Sequence, residues 1–512
     1  MGDPRAMGAP APGPAVSGAL LVAGTTCGAG KSVVVAGLCR WLHRQGISVA
    51  PFQAQSNSVT ACVTADGAEV GRGQVIQAAA CGLKPDARMN PVVLRPGVTD
   101  TEVFVLGQSV GEVDAAGYAE NADRLLDVAI DSLGQLRREF DVVICENATA
   151  PAGISPRGPD LADLSLARAA GLAALLVADA SSGGAFAAIY GTIALLDPAD
   201  QALISALVLN KAGSALGHLD SSGLLRSVTG RPVLGALPLA AGLWPDMAAA
   251  GAADAQQRPP GAGAPLGHDV LRVSVVQLPR ISSFTDVDAL AAEPGVLVRM
   301  AATPEELADA DLVVLPGSRA TVADLAFLRE RGISEAIAVR TQAGRPVLGI
   351  GGGFQMLAEE ICDDVESGAG TVSGLGLVPA SVTFGPNRAL GRRTGTAYGV
   401  SVSGGEARRG SVTISGIRAE PFPGGCRSGS VWGTSWHGTL ENDQFRRAFL
   451  ADVAAFAGRD FKAAPDTNLA VLREAGLDRL GDLVAENLDT DTVLRLIEGG
   501  PLPGLPILGP SA

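Results

Sequence analysis

"LLVAGTTCGAGKSVVVAGLCRWL", Leu20 to Leu42, decides the fold of the first half of the chain. An apolar run, a Gly-rich loop closing on Lys-Ser, and a second apolar stretch with helical spacing read as a buried strand, a phosphate-binding loop and a helix. In that order the backbone N–H groups of the loop and the positive end of the helix face one anion site. Gly24, Thr25, Thr26, Gly28 and Gly30 are the loop residues expected to cradle a nucleotide, with Lys31 reaching phosphate and Ser32 placed for Mg²⁺. The spacing GxxxxxGKS is one residue longer than the usual loop, so the strand–loop–helix context carries the reading.

Two further strand ends belong beside this loop. "FDVVICENA" puts Glu146 at the end of an apolar strand, the usual place for an acidic Mg²⁺ partner, although a strand-end carboxylate can also simply face solvent. "LVLNK" places Asn210 and Lys211 after another strand, where they either read a base edge or form a polar strand end.

The rest of the chain supports an α/β enzyme rather than a binding surface. With 512 residues and 47% hydrophobic composition it can bury large cores in two to four domains. The 39 basic against 53 acidic residues give a net charge of -14, which argues against a general nucleic-acid or anionic-membrane surface. Seven cysteines (27, 39, 62, 81, 145, 362 and 426) lie scattered without a CxxC pair, so neither a disulfide framework nor a zinc site is suggested and a cytoplasmic setting fits. The most apolar region is interrupted by Asp179 and a Ser/Gly turn, too soon for the roughly 20 residues a membrane span needs, and reads as a strand followed by a helix.

Composition divides the chain. Residues 1–18, rich in Ala, Pro and Gly, read as a disordered leader, and 19–240 as a nucleotide-binding α/β domain. Pro, Gly, Ala and Gln replace the periodic pattern in a linker over 241–269, after which 270–460 form a second α/β domain and 461–512 a helical tail whose apolar spacing suits packing on the body. In the second domain "RPVLGIGGGFQML", Arg345 to Leu357, reads as strand, sharp turn and helix, the geometry in which such enzymes expose a nucleophile. Gly351 stands at the apex, where Cys or Ser is needed.

Ordered segments along nearly the whole chain resemble the cobyric acid synthase family: "GTTCGAGKS", "VAPFQAQSNS", "AEVGRGQVIQA", "MNPVVLRP", "VLNK", "LPRISSFTDVDAL", "LPGSRATVADLAFL", "GIGGGFQML" and "WGTSWHGTLE". The resemblance implies a P-loop NTPase-like, dethiobiotin-synthetase-like parallel-sheet domain followed by a flavodoxin-like class I glutamine amidotransferase domain. It implies ATP-dependent amidation of four peripheral carboxylates of adenosylcobyrinic a,c-diamide in cobalamin biosynthesis, with ATP and Mg²⁺ as cofactors and ammonia from glutamine. A carboxylate acylates poorly, so phosphoryl transfer must first give an acyl phosphate, and Lys31, Ser32 and Glu146 are a minimum set for that step. Gln55, Glu69, Arg72 and Asn90 match family positions that line the nucleotide and substrate cleft or pack the structure around it.

Departures from the family fall at chemical positions. Relatives usually carry Asp where this chain has Gly28, Lys where it has Gln53 and Asn where it has Ser56; Ser181 and Ser182 replace an Asp and an Arg. In the second domain the nucleophilic Cys becomes Gly351, while its partner survives as His437 in "WHGTLE" and Gly317 keeps the turn of an oxyanion hole. Gly399 and Ser401 replace a Glu and a His. A histidine without a nucleophile cannot run acyl-enzyme chemistry, so the expectation is a synthetase-type chain whose glutaminase is lost. Three functions follow: an amidoligase for a corrinoid or other polycarboxylate that takes free ammonia in place of glutamine; a non-catalytic paralogue that binds nucleotide; and an amidoligase recruited to a different acid.

Overall fold

The computed structural model describes residues 16–57, 61–64, 67–96, 101–152, 164–181, 183–213, 221–239, 265–416 and 419–509. The expected leader therefore lies outside the described residues up to 15, as do Ser182 and the linker up to 264. Val16 is buried and Gly18 already opens the first strand, so order begins within the stretch read as leader.

Six parallel strands form the first sheet, in the order Val233–Pro238, Ile204–Ala212, Ala173–Asp179, Gly18–Gly24, Val142–Glu146 and Val49–Phe52. Helices cover both faces, which is why Leu20 to Ala23 read as an unbroken apolar run and are all buried. Gly18–Gly24 lies at the centre between Ala173–Asp179 and Val142–Glu146, so their C-terminal ends meet at the phosphate-binding loop. Beside this sheet, Gln55–Asn57, Val92–Pro96, Thr101–Val105 and Gln108–Val113 make a smaller four-stranded sheet.

The second domain has its own sheet, Val296–Ala301, Leu271–Val276, Leu312–Leu315, Val347–Ile350 and Val431–Thr434 in parallel, extended by antiparallel Gly425–Ser428 and Glu420–Phe422. The strand Val347–Ile350 delivers Gly351 and the neighbouring Val431–Thr434 delivers the loop that holds His437. A long hairpin, Ala380–Ala397 with Val400–Ile414, rises from this domain, and its arginines reach carboxylates of the first.

The tail returns to the first domain. Helices Leu469–Asn487 and Thr490–Gly499 bury Leu477, Leu480, Val484, Val493 and Leu496 in the core that holds Leu20, Val22, Leu38 and Leu42. The contact with helix Lys31–Arg44 is close enough to demand glycine: a Cβ on Gly37 would stand 2.8 Å from Val484 Cγ2 and 2.9 Å from the Leu480 carbonyl oxygen. Arg40 anchors the same contact through Glu474 and Asp478.

Candidate active sites

In the phosphate-binding loop, Gly24 and Gly30 are glycines of necessity. A Cβ on Gly24 would press on Lys31 Cγ at 2.9 Å, and Gly30 has φ +87° with Asn210 Nδ2 in the place of its missing side chain. Thr25 N–H donates to Val177 O at 2.9 Å, tying the loop to the neighbouring strand. Lys31 is 3% exposed and its ammonium donates to Thr26 O at 3.3 Å. Gly28 has open space where a side chain would project.

Ser32 and Glu146 converge as their sequence positions suggested: Ser32 Oγ donates to Glu146 Oε1 at 2.7 Å, and Gln77 donates to the other carboxylate oxygen. Burial pushes the Glu146 carboxyl above its ordinary range, a shift the Ser32 bond, Lys31 and Gln77 only partly offset. A buried carboxylate beside a hydroxyl, with its charge incompletely matched, is a donor set that fits Mg²⁺. Gln77 was not anticipated from sequence.

Asn210 and Lys211 meet the loop from behind. Asn210 Nδ2 donates to Ala29 O at 2.9 Å, while Lys211, at φ +58°, donates to Gly28 O at 3.0 Å and pairs with Asp179 at 2.8 Å. Burial raises Asp179, but the bonds from Lys211 and Ser181 outweigh it and hold this carboxyl below its usual range. Both residues brace the loop in this geometry.

The four residues matched to the family cleft divide by partner. Asn90 is fully buried, its Oδ1 accepting from Gly71 N–H at 3.0 Å and Ser56 Oγ at 2.8 Å while its amide donates to Gln53 O at 3.1 Å. Gln55 accepts from the Tyr118 hydroxyl, and Gln53 accepts from Gln74 at 2.8 Å. Glu69 grips Arg95 and Arg388. Arg72 crosses to the second domain and pairs with Asp288 at 3.1 Å, with both side chains nearly or wholly buried.

At the elbow, Gly351 has φ +55° and ψ -116°, and its N–H donates to Thr434 O at 2.7 Å. A Cβ there would lie 2.7 Å from His437 Nε2. His437 is half-buried, its Nδ1 is shut off from solvent with no hydrogen-bond partner among the described residues, and desolvation lowers its pKa to about 4. The ring is therefore neutral at pH 7. Gly317 comes equally close, since a Cβ on it would collide with Ser282 Oγ at 2.2 Å and His437 Cε1 at 2.6 Å. Gly399 forms the hairpin tip at φ +74° and Ser401 is exposed beside it.

One positioning residue escaped the sequence reading. Asp286 Oδ2 accepts from Gly438 N–H at 2.7 Å, and Oδ1 accepts from Leu440 N–H at 2.9 Å and Thr439 Oγ1 at 3.2 Å, so it clamps the loop after His437. The signal was present in "SSFTDVDAL": two carboxylates in a short helix, Thr285–Ala291, whose residues after Thr285 are otherwise apolar. Asp286 holds the histidine loop while Asp288 holds Arg72, so one short helix touches both domains' sites.

A cavity of about 520 Å³ opens at the elbow and the domain seam, lined by Gly351, His437, Ser282, Ser403 and Asn442 of the second domain and by Cys62, Arg95 and Glu102 of the first. Among the described residues, no helix is long and apolar enough to cross a membrane.

Residues 20–246 match the CobQ/CobB/MinD/ParA nucleotide binding domain family, and residues 272–445 the CobB/CobQ-like glutamine amidotransferase domain family. A cobyric acid synthase of Streptomyces coelicolor is 51% identical over 506 residues, covering 97% of this chain and 100% of the relative. One from Saccharopolyspora erythraea is 52% identical over 510 residues, covering 96% and 97%. Among solved structures, a glutamine amidotransferase aligns at 22% identity over 36% of this chain and 98% of its own, with a TM-score of 0.30. The signal recognition particle receptor FtsY of Elizabethkingia anophelis aligns at 17% identity over 44% of this chain and 61% of its own, with a TM-score of 0.26. A nucleotide-binding sheet, an amidotransferase sheet and full-length relatives agree: the chain belongs to the cobyric acid synthase family.

Proposed function

We propose that the chain is an ATP-dependent amidoligase acting on the side-chain carboxylates of a corrinoid, adenosylcobyrinic a,c-diamide, and that it takes free ammonia because its glutaminase is lost. The observation that carries this reading is the pairing of Ser32 with a buried, charge-deficient Glu146 under the loop of Lys31, in a chain whose elbow has no nucleophile. Phosphoryl transfer from ATP to a carboxylate yields an acyl phosphate and ADP; ammonia then displaces phosphate and leaves the amide. Ser32 and Glu146 would hold Mg²⁺, which supplies charge neutralisation at the phosphates. Gly24, Thr25, Thr26, Gly28 and Gly30 would offer backbone donors, and Gln55, Glu69, Arg72 and Asn90 would shape the substrate side.

Product analysis by mass spectrometry, with adenosylcobyrinic a,c-diamide, Mg²⁺ and ATP, tests it. Amide products with ammonia and none with glutamine are expected. Products with glutamine at equal rates, or with neither nitrogen source, would remove the reading. A second reading, nucleotide binding without turnover, draws support from the loop itself: Gly28 and Gln53 stand where relatives have charged groups, and Lys211 is already engaged by Asp179. A third, amidation of a different acid, rests on the same substitutions at Gln53, Ser56 and Ser181.

A further inference from the structure

Six arginines, Arg95, Arg319, Arg388, Arg392, Arg408 and Arg409, line the cavity at the domain seam. Arg95 comes from the first domain's strand Val92–Pro96, and four of the others from the long hairpin of the second, so the cluster exists only when the domains are apposed. Glutamine carries one carboxylate and needs one such cation. Six exceed what that ligand can use.

The centre of the cluster is short of counter-charge. Arg95 and Arg388 share Glu69, Arg95 and Arg409 share Glu102 at 3.9 and 3.2 Å, and Arg409 also reaches the exposed Glu112 at 3.7 Å, so three guanidinium groups answer to only two carboxylates that are shielded from water. Arg388 lies 2.7 Å from Glu69. Burial, then repulsion by Arg95, holds both Arg319 and Arg388 below their usual range.

The other acids on the cavity wall do not restore the balance. Asp363 accepts the backbone N–H groups of Val365, Glu366 and Ser367, and Glu441 pairs with Arg473. Glu112 is exposed, where water screens it, and desolvation pushes the Glu366 carboxyl up to about 7, against the pull of Arg409 and Arg388, so it carries only part of its charge near neutral pH. Arg95 and Arg388 both lie over the Phe104 ring, at 4.6 and 5.4 Å from its centre, which fixes the direction of their planar forks. Phe384, Val322 and Ala407 add an apolar wall.

We infer that this seam cavity binds a molecule bearing at least two carboxylates on an apolar frame, and that in the amidoligase reading above, on which this rests, it anchors the substrate carboxylates not being activated. Planar guanidinium forks match carboxylates in bidentate fashion, and an anchored acid edge leaves one carboxylate free to approach the phosphate loop.

Calorimetry on the full chain tests the inference with three probes: adenosylcobyrinic a,c-diamide, tricarballylate, and the neutral triamide of tricarballylate. The first two should bind and the triamide should bind at least tenfold more weakly. Arg388→Gln and Arg409→Gln should each weaken the acids tenfold or more, and Arg409→Lys should recover only part, since it restores charge without the fork. Melting temperature and Mg²⁺–ATP affinity check that each variant is folded; should one fail, the other carries the test. Equal binding of triamide and acid, or acid binding in both folded Gln variants as tight as in the native chain, would overturn the inference. Amidation with an unchanged KM in those variants would sink the seam site and leave the amidoligase reading standing. Tricarballylate binding that the variants abolish, in a chain that never amidates the corrinoid, would sink that reading and leave the seam site standing.

Discussion

A Cβ on Gly351 would stand 2.7 Å from Nε2 and 2.8 Å from Cε1 of His437, so the imidazole occupies the space that a side chain at the elbow would need. Any side chain placed there would have to displace the ring, which desolvation keeps neutral.

Glutamate release from glutamine should accordingly be absent from the native chain. Gly351→Cys should recover little, because a thiol there forces the His437 ring aside and puts a non-glycine residue at φ +55°, a conformation costing on the order of 1–3 kcal/mol. A nucleophile displaced by about 1 Å can lose roughly a hundredfold in rate. Glutaminase turnover by the variant at the rate of an ordinary Cys enzyme would show that the ring moves freely.

Acid should destabilise the fold through His437. Its pKa is about 4 in the folded chain and about 6.5 when unfolded. Between those values the unfolded chain binds the additional proton, so the stability this group contributes is present above about pH 6.5 and falls as the pH drops towards 4. The loss approaches about 3 kcal/mol. Urea unfolding across that window, native chain against His437→Gln, should show a shallower decline for the variant; parallel curves would contradict a desolvated neutral imidazole.

Nucleotide binding should depend on Lys31. Backbone donors and the helix dipole contribute much of the phosphate affinity, so Lys31→Ala should weaken Mg²⁺–ATP by roughly tenfold or more, about 1.4 kcal/mol, without abolishing the fold. Calorimetry reads this directly. No binding to the native chain would remove the amidoligase reading.

Removing the clamp on the histidine loop should be costly although it touches no reacting atom. Asp286→Ala leaves the Gly438 and Leu440 N–H groups and the Thr439 hydroxyl without their acceptor, at about 2–4 kcal/mol. Hydrogen exchange at Gly438 and Leu440 should accelerate well before global unfolding. Unaltered exchange there would mean that the loop is held by other contacts.

What the sequence by itself determined is local: the strand, loop and helix around Lys31 and Ser32, the elbow at Gly351, and Glu146 at a strand end, each written in consecutive residues whose periodicity and glycines have one reading. The two α/β domains were legible for the same reason. Tertiary structure decided what those pieces meet. Arg72 and Asp288 are 216 residues apart, yet join the domains; Glu69 reaches Arg388; and the tail, which follows the second domain in sequence, buries Val484 against Gly37 of the first. Lys211 and Asn210, read either as base-edge readers or as a polar strand end, donate to the loop backbone, a contact no spacing in the sequence announces. A pattern of apolar and polar residues specifies which face of an element is buried, but not which distant face covers it, because that choice rests on shape and charge complementarity between surfaces that become neighbours only in the folded chain.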